Sequence, residues 1–130
     1  MSRSDRYIDV ERRGDAFCVR LRQHRLEERQ IHEVTRELLA LVTDEGCRKL
    51  ALSLGPQPPE CLYSVFLAKL ITVQRVLGGL GGALVLCEVA PEVRAIFEAC
   101  SLDHQFPFVP DFDAAVAHWA NGPQPPAPHA

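Results

Sequence analysis

The chain has 130 residues, enough for one hydrophobic core and too few for two ordinary domains. Hydrophobic residues make up 47% and charged residues 24%, the balance of a soluble globular protein, and a formal net charge of −3 offers no basic field for nucleic acid or an anionic membrane. Five cysteines, an odd number with no CxxC pair and no Cys/His cluster, point to reduced thiols and a cytoplasmic protein, and they argue against a disulfide framework or a metal site.

Residues 1–6 read as an N-terminal tail, and the opening MSRSDRYID has no apolar signal core. From Tyr7 to Glu11 the pattern alternates, with Ile8 and Val10 on one face and Asp9 and Glu11 on the other. Phe17, Val19 and Leu21 alternate with Cys18, Arg20 and Arg22, and Arg13-Gly14-Asp15 lies between as a turn. Together these predict a β-hairpin with one buried face. The arginines of this region (Arg12, Arg13, Arg20, Arg22, Arg25) are interleaved with Asp9, Glu11, Asp15, Glu27 and Glu28, which makes a solvated mixed-charge surface.

From about Glu28 to Glu45 the period changes. Ile31, Val34, Leu38, Leu41 and Val42 share one helical face, and Gly46 is suited to end the helix. Arg48 to Leu54 predicts a short buried strand. Gly55-Pro56-Gln57-Pro58-Pro59 must be a loop, because three prolines remove three backbone donors. A second helix is expected from about Tyr63 to Leu77, apolar on nearly every side, with Lys69 and Arg75 its only charges. Val65 to Leu86 is too interrupted, by Lys69, Gln74, Arg75 and glycines, to span a membrane. Gly78 to Gly82 follows a helix and precedes a strand, the reverse of a phosphate-binding loop, so it reads as a helix-to-strand turn.

Ala83 to Val89 predicts the next strand, and Pro91 with Glu92 opens a third helix whose stripe is Val93, Ile96, Phe97 and Cys100. Phe106 to Val109, flanked by Pro107 and Pro110, fits only an edge strand. Asp111 caps a last helix carrying Phe112, Ala115, Val116 and Trp119. Residues 122–130 (GPQPPAPHA) read as a disordered proline-rich tail, which leaves 7–121 as the domain. The order β-β-α-β-α-β-α-β-α predicts an α/β fold: a mixed sheet of about five strands, opened by a hairpin and covered by about four helices in one main layer.

The motifs Gly81-Gly82-Ala83-Leu84-Val85-Leu86-Cys87, Ala90-Pro91-Glu92-Val93-Arg94, Ile96-Phe97 and Leu102-Asp103 resemble the STAS domain family in order and spacing. In that family a "GG-x-LVLC" strand leads into "SPEVR" and a helix ending near "LD". Leu62-Tyr63-Ser64-Val65-Phe66-Leu67-Ala68-Lys69-Leu70 stands where the family carries its "(D/S)-S-x-G-L-G-x-L" element. Tyr63 replaces the frequent aspartate, and Val65 and Phe66 replace small, glycine-bearing positions. The resemblance covers roughly residues 7–120.

Stand-alone bacterial members of the family are anti-sigma factor antagonists, phosphorylated by a serine kinase-type anti-sigma factor at a serine opening the second helix. The resemblance therefore implies a non-enzymatic regulatory interaction module. Ser64 is its phosphorylation candidate, and Tyr63, Ser64, Val65, Phe66, Leu67, Lys69 and Leu70 form its partner-binding surface. An anti-sigma factor or serine kinase-like protein is the implied partner, with a homodimer also open to it. From the residues alone, Ser64 reads as a plain helix N-cap. Two alternatives within the family are a scaffold or oligomer subunit without phosphorylation, and a small-ligand sensor. No paired carboxylates, His/Cys ligand spacing or nucleophile motif suggests catalytic residues, a metal or a cofactor.

Overall fold

The computed structural model describes residues 2–120, so the 122–130 tail lies outside the described residues. The elements follow in the order β1 (Ser2–Ser4), β2 (Ile8–Arg13), β3 (Ala16–Leu21), α1 (Glu28–Glu45), β4 (Lys49–Ser53), α2 (Tyr63–Gly79), β5 (Ala83–Cys87), α3 (Pro91–Ala99), β6 (Phe108–Val109) and α4 (Phe112–Ala120). They form one mixed sheet of order β1-β2-β3-β4-β5-β6. The β1-β2-β3 end is antiparallel, and β3 to β6 run parallel.

The hairpin forms as its alternation requires. Ile8 and Val10 are buried, and the turn is closed by Gly14 at φ +63°. The α1 stripe packs as expected, and Gly46 ends that helix in the left-handed region at φ +71°, its N–H returning to the Leu41 carbonyl. Pro91 opens α3, and the Asp111 carboxylate accepts the Ala114 N–H at 2.9 Å to cap α4.

Two features depart from the sequence reading. Residues 2–4, read as tail, add a sixth strand by pairing Arg3 with Val10 and Ser4 with Asp9. Nothing apolar marks this strand; backbone pairing and the Arg3–Glu45 ion pair hold it. The helices also do not form a single layer. Helices α1, α2 and α3 cover one sheet face, over Phe17, Val19, Leu50, Leu52, Leu84 and Leu86. Helix α4 lies on the other, setting Phe112 and Ala115 on Cys18, Ala51, Val85 and Cys87. The alternate positions of β3 to β5 are thus apolar on both faces, so water must be excluded from both.

The helical face of the sheet positions the candidate site. The parallel strands β4 and β5 end side by side, and the proline loop leaves β4 at that end to reach α2. Helix α2 packs along α1 and over β5.

Candidate functional site

The loop from β4 to α2 is tied down at both ends. Ser53, 1% exposed, donates its hydroxyl to the Gly55 carbonyl at 3.0 Å and accepts the Gly55 N–H at 3.2 Å. The same hydroxyl contacts the Glu88 carboxylate, which is paired in turn with Arg20. The Arg20 guanidinium lies 4.6 Å from the centroid of the Phe112 ring, so the cluster also reaches the opposite face of the sheet. Burial works to raise the pKa of Glu88, but the hydrogen bonds from Ser53 and Arg20 and the charge of Arg20 hold it below the usual carboxylate value. Gly55 passes so close to this cluster that a Cβ there would sit 2.4 Å from the Glu88 carbonyl oxygen. Only glycine admits that approach.

At its far end the loop meets the segment before α1. Leu26 N–H donates to the Glu60 carbonyl at 2.9 Å, and Glu60 N–H donates to the His24 carbonyl at 2.6 Å. The Tyr63 hydroxyl reaches back to the Pro59 carbonyl at 2.5 Å, and its ring meets Phe66 edge-on with centroids 6.0 Å apart. Burial pushes the Tyr63 phenol up to about 12 and the neighbouring Cys61 thiol up to about 11. Both groups therefore stay protonated at neutral pH, which argues against a nucleophilic role for Cys61.

Helix α2 begins without a side-chain cap. Its N-cap is Leu62, whose carbonyl accepts from Val65 and Phe66 at 3.1 and 3.0 Å. Ser64 is the second helical residue and is exposed, which corrects its reading as the N-cap. Among the described residues its hydroxyl has no hydrogen-bond partner, and the N–H groups of Tyr63 and Ser64 have no acceptor. Unsatisfied N–H groups, the positive end of the helix dipole and no acidic residue in the first turn make this terminus receptive to an anion.

The structure divides the expected contact surface. Phe66, Leu67 and Leu70 are 1%, 3% and 1% exposed and belong to the core, so their side chains cannot meet a partner directly. Tyr63, Val65 and Lys69 are half-buried, and Ser64 is exposed. Leu62, assigned by its spacing to the apolar stripe, is instead 57% exposed beside Ser64. Its position just ahead of the first helical turn is what frees it from the buried face. The Arg20–Ser53–Glu88 cluster also escaped the sequence reading. Its only visible sign was a carboxylate at the exit of the apolar run Ala83–Cys87.

A cleft of about 210 Å³ lies behind the loop, lined by Leu21, His24, Ser53, Gly55, Pro56 and Gln57 among others. That is below the ~300–1,000 Å³ of small-molecule sites. Among the described residues no group of three or more His, Cys, Asp or Glu side chains is placed to hold a metal ion, and no helix is long and apolar enough to cross a membrane.

No family model matches the chain. One curated relative is BtrV of Bordetella bronchiseptica, designated an anti-sigma factor antagonist; it is 35% identical over 79 residues, spanning 61% of this chain and 66% of BtrV's length. Among solved structures, the fold is similar to an anti-sigma-factor antagonist (STAS) domain protein from Planctomyces limnophilus, with a TM-score of 0.71 and 20% identity over 85% of this chain and 96% of that one. It is also similar to the phosphorylated form of the Bacillus cell fate determinant SpoIIAA, with a TM-score of 0.64 and 12% identity over 85% of this chain and 98% of that one.

Proposed function

We propose that this chain, which is a STAS domain, is a non-enzymatic regulatory module that docks on a serine kinase-type anti-sigma factor and is switched by phosphorylation of Ser64. The observation that carries the reading is the start of α2: an exposed serine hydroxyl and unsatisfied N–H groups, placed beside exposed Leu62 on an anchored loop. SpoIIAA, similar in fold, has been solved in a phosphorylated form, and BtrV carries the antagonist designation. Both lend support to the reading.

In this reading, Leu62, Tyr63, Ser64, Val65 and the edge of the loop form the contact. Phe66, Leu67 and Leu70 act beneath it, fixing the helix against the core. A phosphate on Ser64 would add a charge of roughly −1.5 to −2. The helix terminus would stabilise that charge, but Leu62 and the partner surface would have to remain solvated around it. Docking is therefore favoured only without the phosphate. The small cleft behind the loop gives the ligand-sensing alternative little room.

The test is intact-mass measurement with site mapping after co-expression with a serine kinase-type anti-sigma factor from the same genome. The expected result is one phosphate, on Ser64, absent from Ser64→Ala. An unmodified chain, or a phosphate on another residue, would overturn the switch and leave the scaffold alternative in its place.

A further inference from the structure

Most cations of this chain are already engaged. Arg3, Arg13, Arg20, Arg22, Arg25 and Lys49 pair with carboxylates; Arg12 and Arg94 lie over aromatic rings; Arg48 donates to backbone carbonyls. Arg36 on α1 and Lys69 on α2 differ. Among the described residues neither has an ion pair, a hydrogen bond or a ring contact. Both line one groove of about 480 Å³ between the two helices, with His32, Thr35, Leu39 and Thr43.

The groove has one sign of charge. Its lining includes no carboxylate; the nearest interaction of that kind is Glu28, 3.9 Å from His32. The carboxylates of α1 are drawn the other way, toward the hairpin. Glu37 accepts the Tyr7 N–H at 3.0 Å, and Glu45 pairs with Arg3. On a chain whose net charge is −3, this leaves two uncompensated cations facing each other across an apolar floor. Helical spacing continues the groove toward the α2 terminus, because Lys69, Val65 and Leu62 follow one another at intervals of four and three residues.

We propose that this groove docks an acidic amphipathic helix of a partner protein, its carboxylates meeting Arg36 and Lys69 and its apolar residues lying on Leu39. Charge complementarity selects an acidic occupant, and the length and apolar floor of a channel between two helices select a helix. Nucleic acid fits less well, because two or three cations in a chain of negative net charge neutralise few phosphates. The inference rests on the reading of this chain as a docking module, but it does not depend on Ser64.

The test uses two synthetic 18-residue helical peptides, one built of Leu, Ala and Glu and the other with Lys in place of each Glu. Each is titrated into the isotopically labelled full chain. The Glu peptide is expected to shift the amide resonances of His32, Thr35, Leu39 and Lys69. R36E/K69E should lower its affinity at least tenfold and raise that of the Lys peptide. Arg94→Glu, on α3, and Ser64→Asp should leave both affinities within twofold, which separates this surface from the switch. An unchanged thermal midpoint establishes that R36E/K69E is folded. The proposal is overturned if the Glu peptide does not bind, if it binds R36E/K69E equally well, or if its shifts map elsewhere. It is likewise overturned if a DNA duplex or phosphatidylglycerol vesicles occupy the groove more tightly than the peptide.

Discussion

Replacing Phe66 and Leu62 by alanine, one at a time, tests how α2 divides between core and surface. Both are large apolar residues at the start of the same helix, four positions apart. Phe66 is 1% exposed and edge-on to Tyr63, so its truncation opens a cavity beneath the loop as well as losing transfer energy. Buried Phe→Ala changes cost about 3–5 kcal/mol. With a urea m-value of ~2 kcal/mol/M, the unfolding midpoint should fall by about 2 M at constant m. Leu62 is 57% exposed and makes no side-chain cap, so Leu62→Ala should change stability by no more than about 0.5 kcal/mol. Its effect should appear in docking instead, as a loss of roughly tenfold in affinity for the anti-sigma factor, the scale of a central apolar contact. Urea titration followed by far-UV circular dichroism measures the stability arm. The division is refuted if Leu62→Ala destabilises as much as Phe66→Ala, or if Phe66→Ala costs less than about 1 kcal/mol.

The remaining expectations concern the loop anchor. Gly55→Ala should destabilise by about 1–3 kcal/mol, since its Cβ meets backbone at 2.4 Å, and should lower the thermal midpoint by roughly 4–12 °C. Gly78→Ala, helical and with nothing within 4 Å, should instead raise the midpoint slightly in the same calorimetric scan. Glu88 has a folded-state pKa held below its ordinary value, so its contribution is present above the unfolded carboxylate value near ~4.3 and is lost as pH falls through the lower folded value. Glu88→Gln should therefore be less stable than the parent at pH 7, and the gap should close toward pH 3 in thermal melts.

Where one physical signal sufficed, the chain could be read without its structure. The α1 stripe has a clean helical period and a glycine able to adopt positive φ at its end, and the hairpin alternates around Gly14. The STAS fold was legible in the motifs from Gly81 to Asp103. Strand β1 was not, because Ser2–Ser4 is held by backbone pairing that leaves no side-chain period. The place of α4 was not either: Phe112 and Ala115 mark an apolar stripe, but a stripe does not say which sheet face it covers.

At the candidate site the difficulty was similar. Helix α2 is apolar nearly all round, so its sequence has no strong direction to separate Phe66, Leu67 and Leu70 from the surface. The position of Ser64 came from the motif order. Its exposure, its uncapped helix terminus and the neighbouring Leu62 depend on how the loop is fastened by Ser53, Glu88 and Glu60. Those contacts join segments far apart in the chain.

The claim that the start of α2 is a charge-sensitive docking point is tested most directly by titrating a serine kinase-type anti-sigma factor from the same genome with the parent chain, Ser64→Ala and Ser64→Asp. Ser64→Ala should bind within about twofold of the parent, and Ser64→Asp at least tenfold more weakly, a difference of about 1.4 kcal/mol. Equal affinity of all three for the anti-sigma factor would contradict the account.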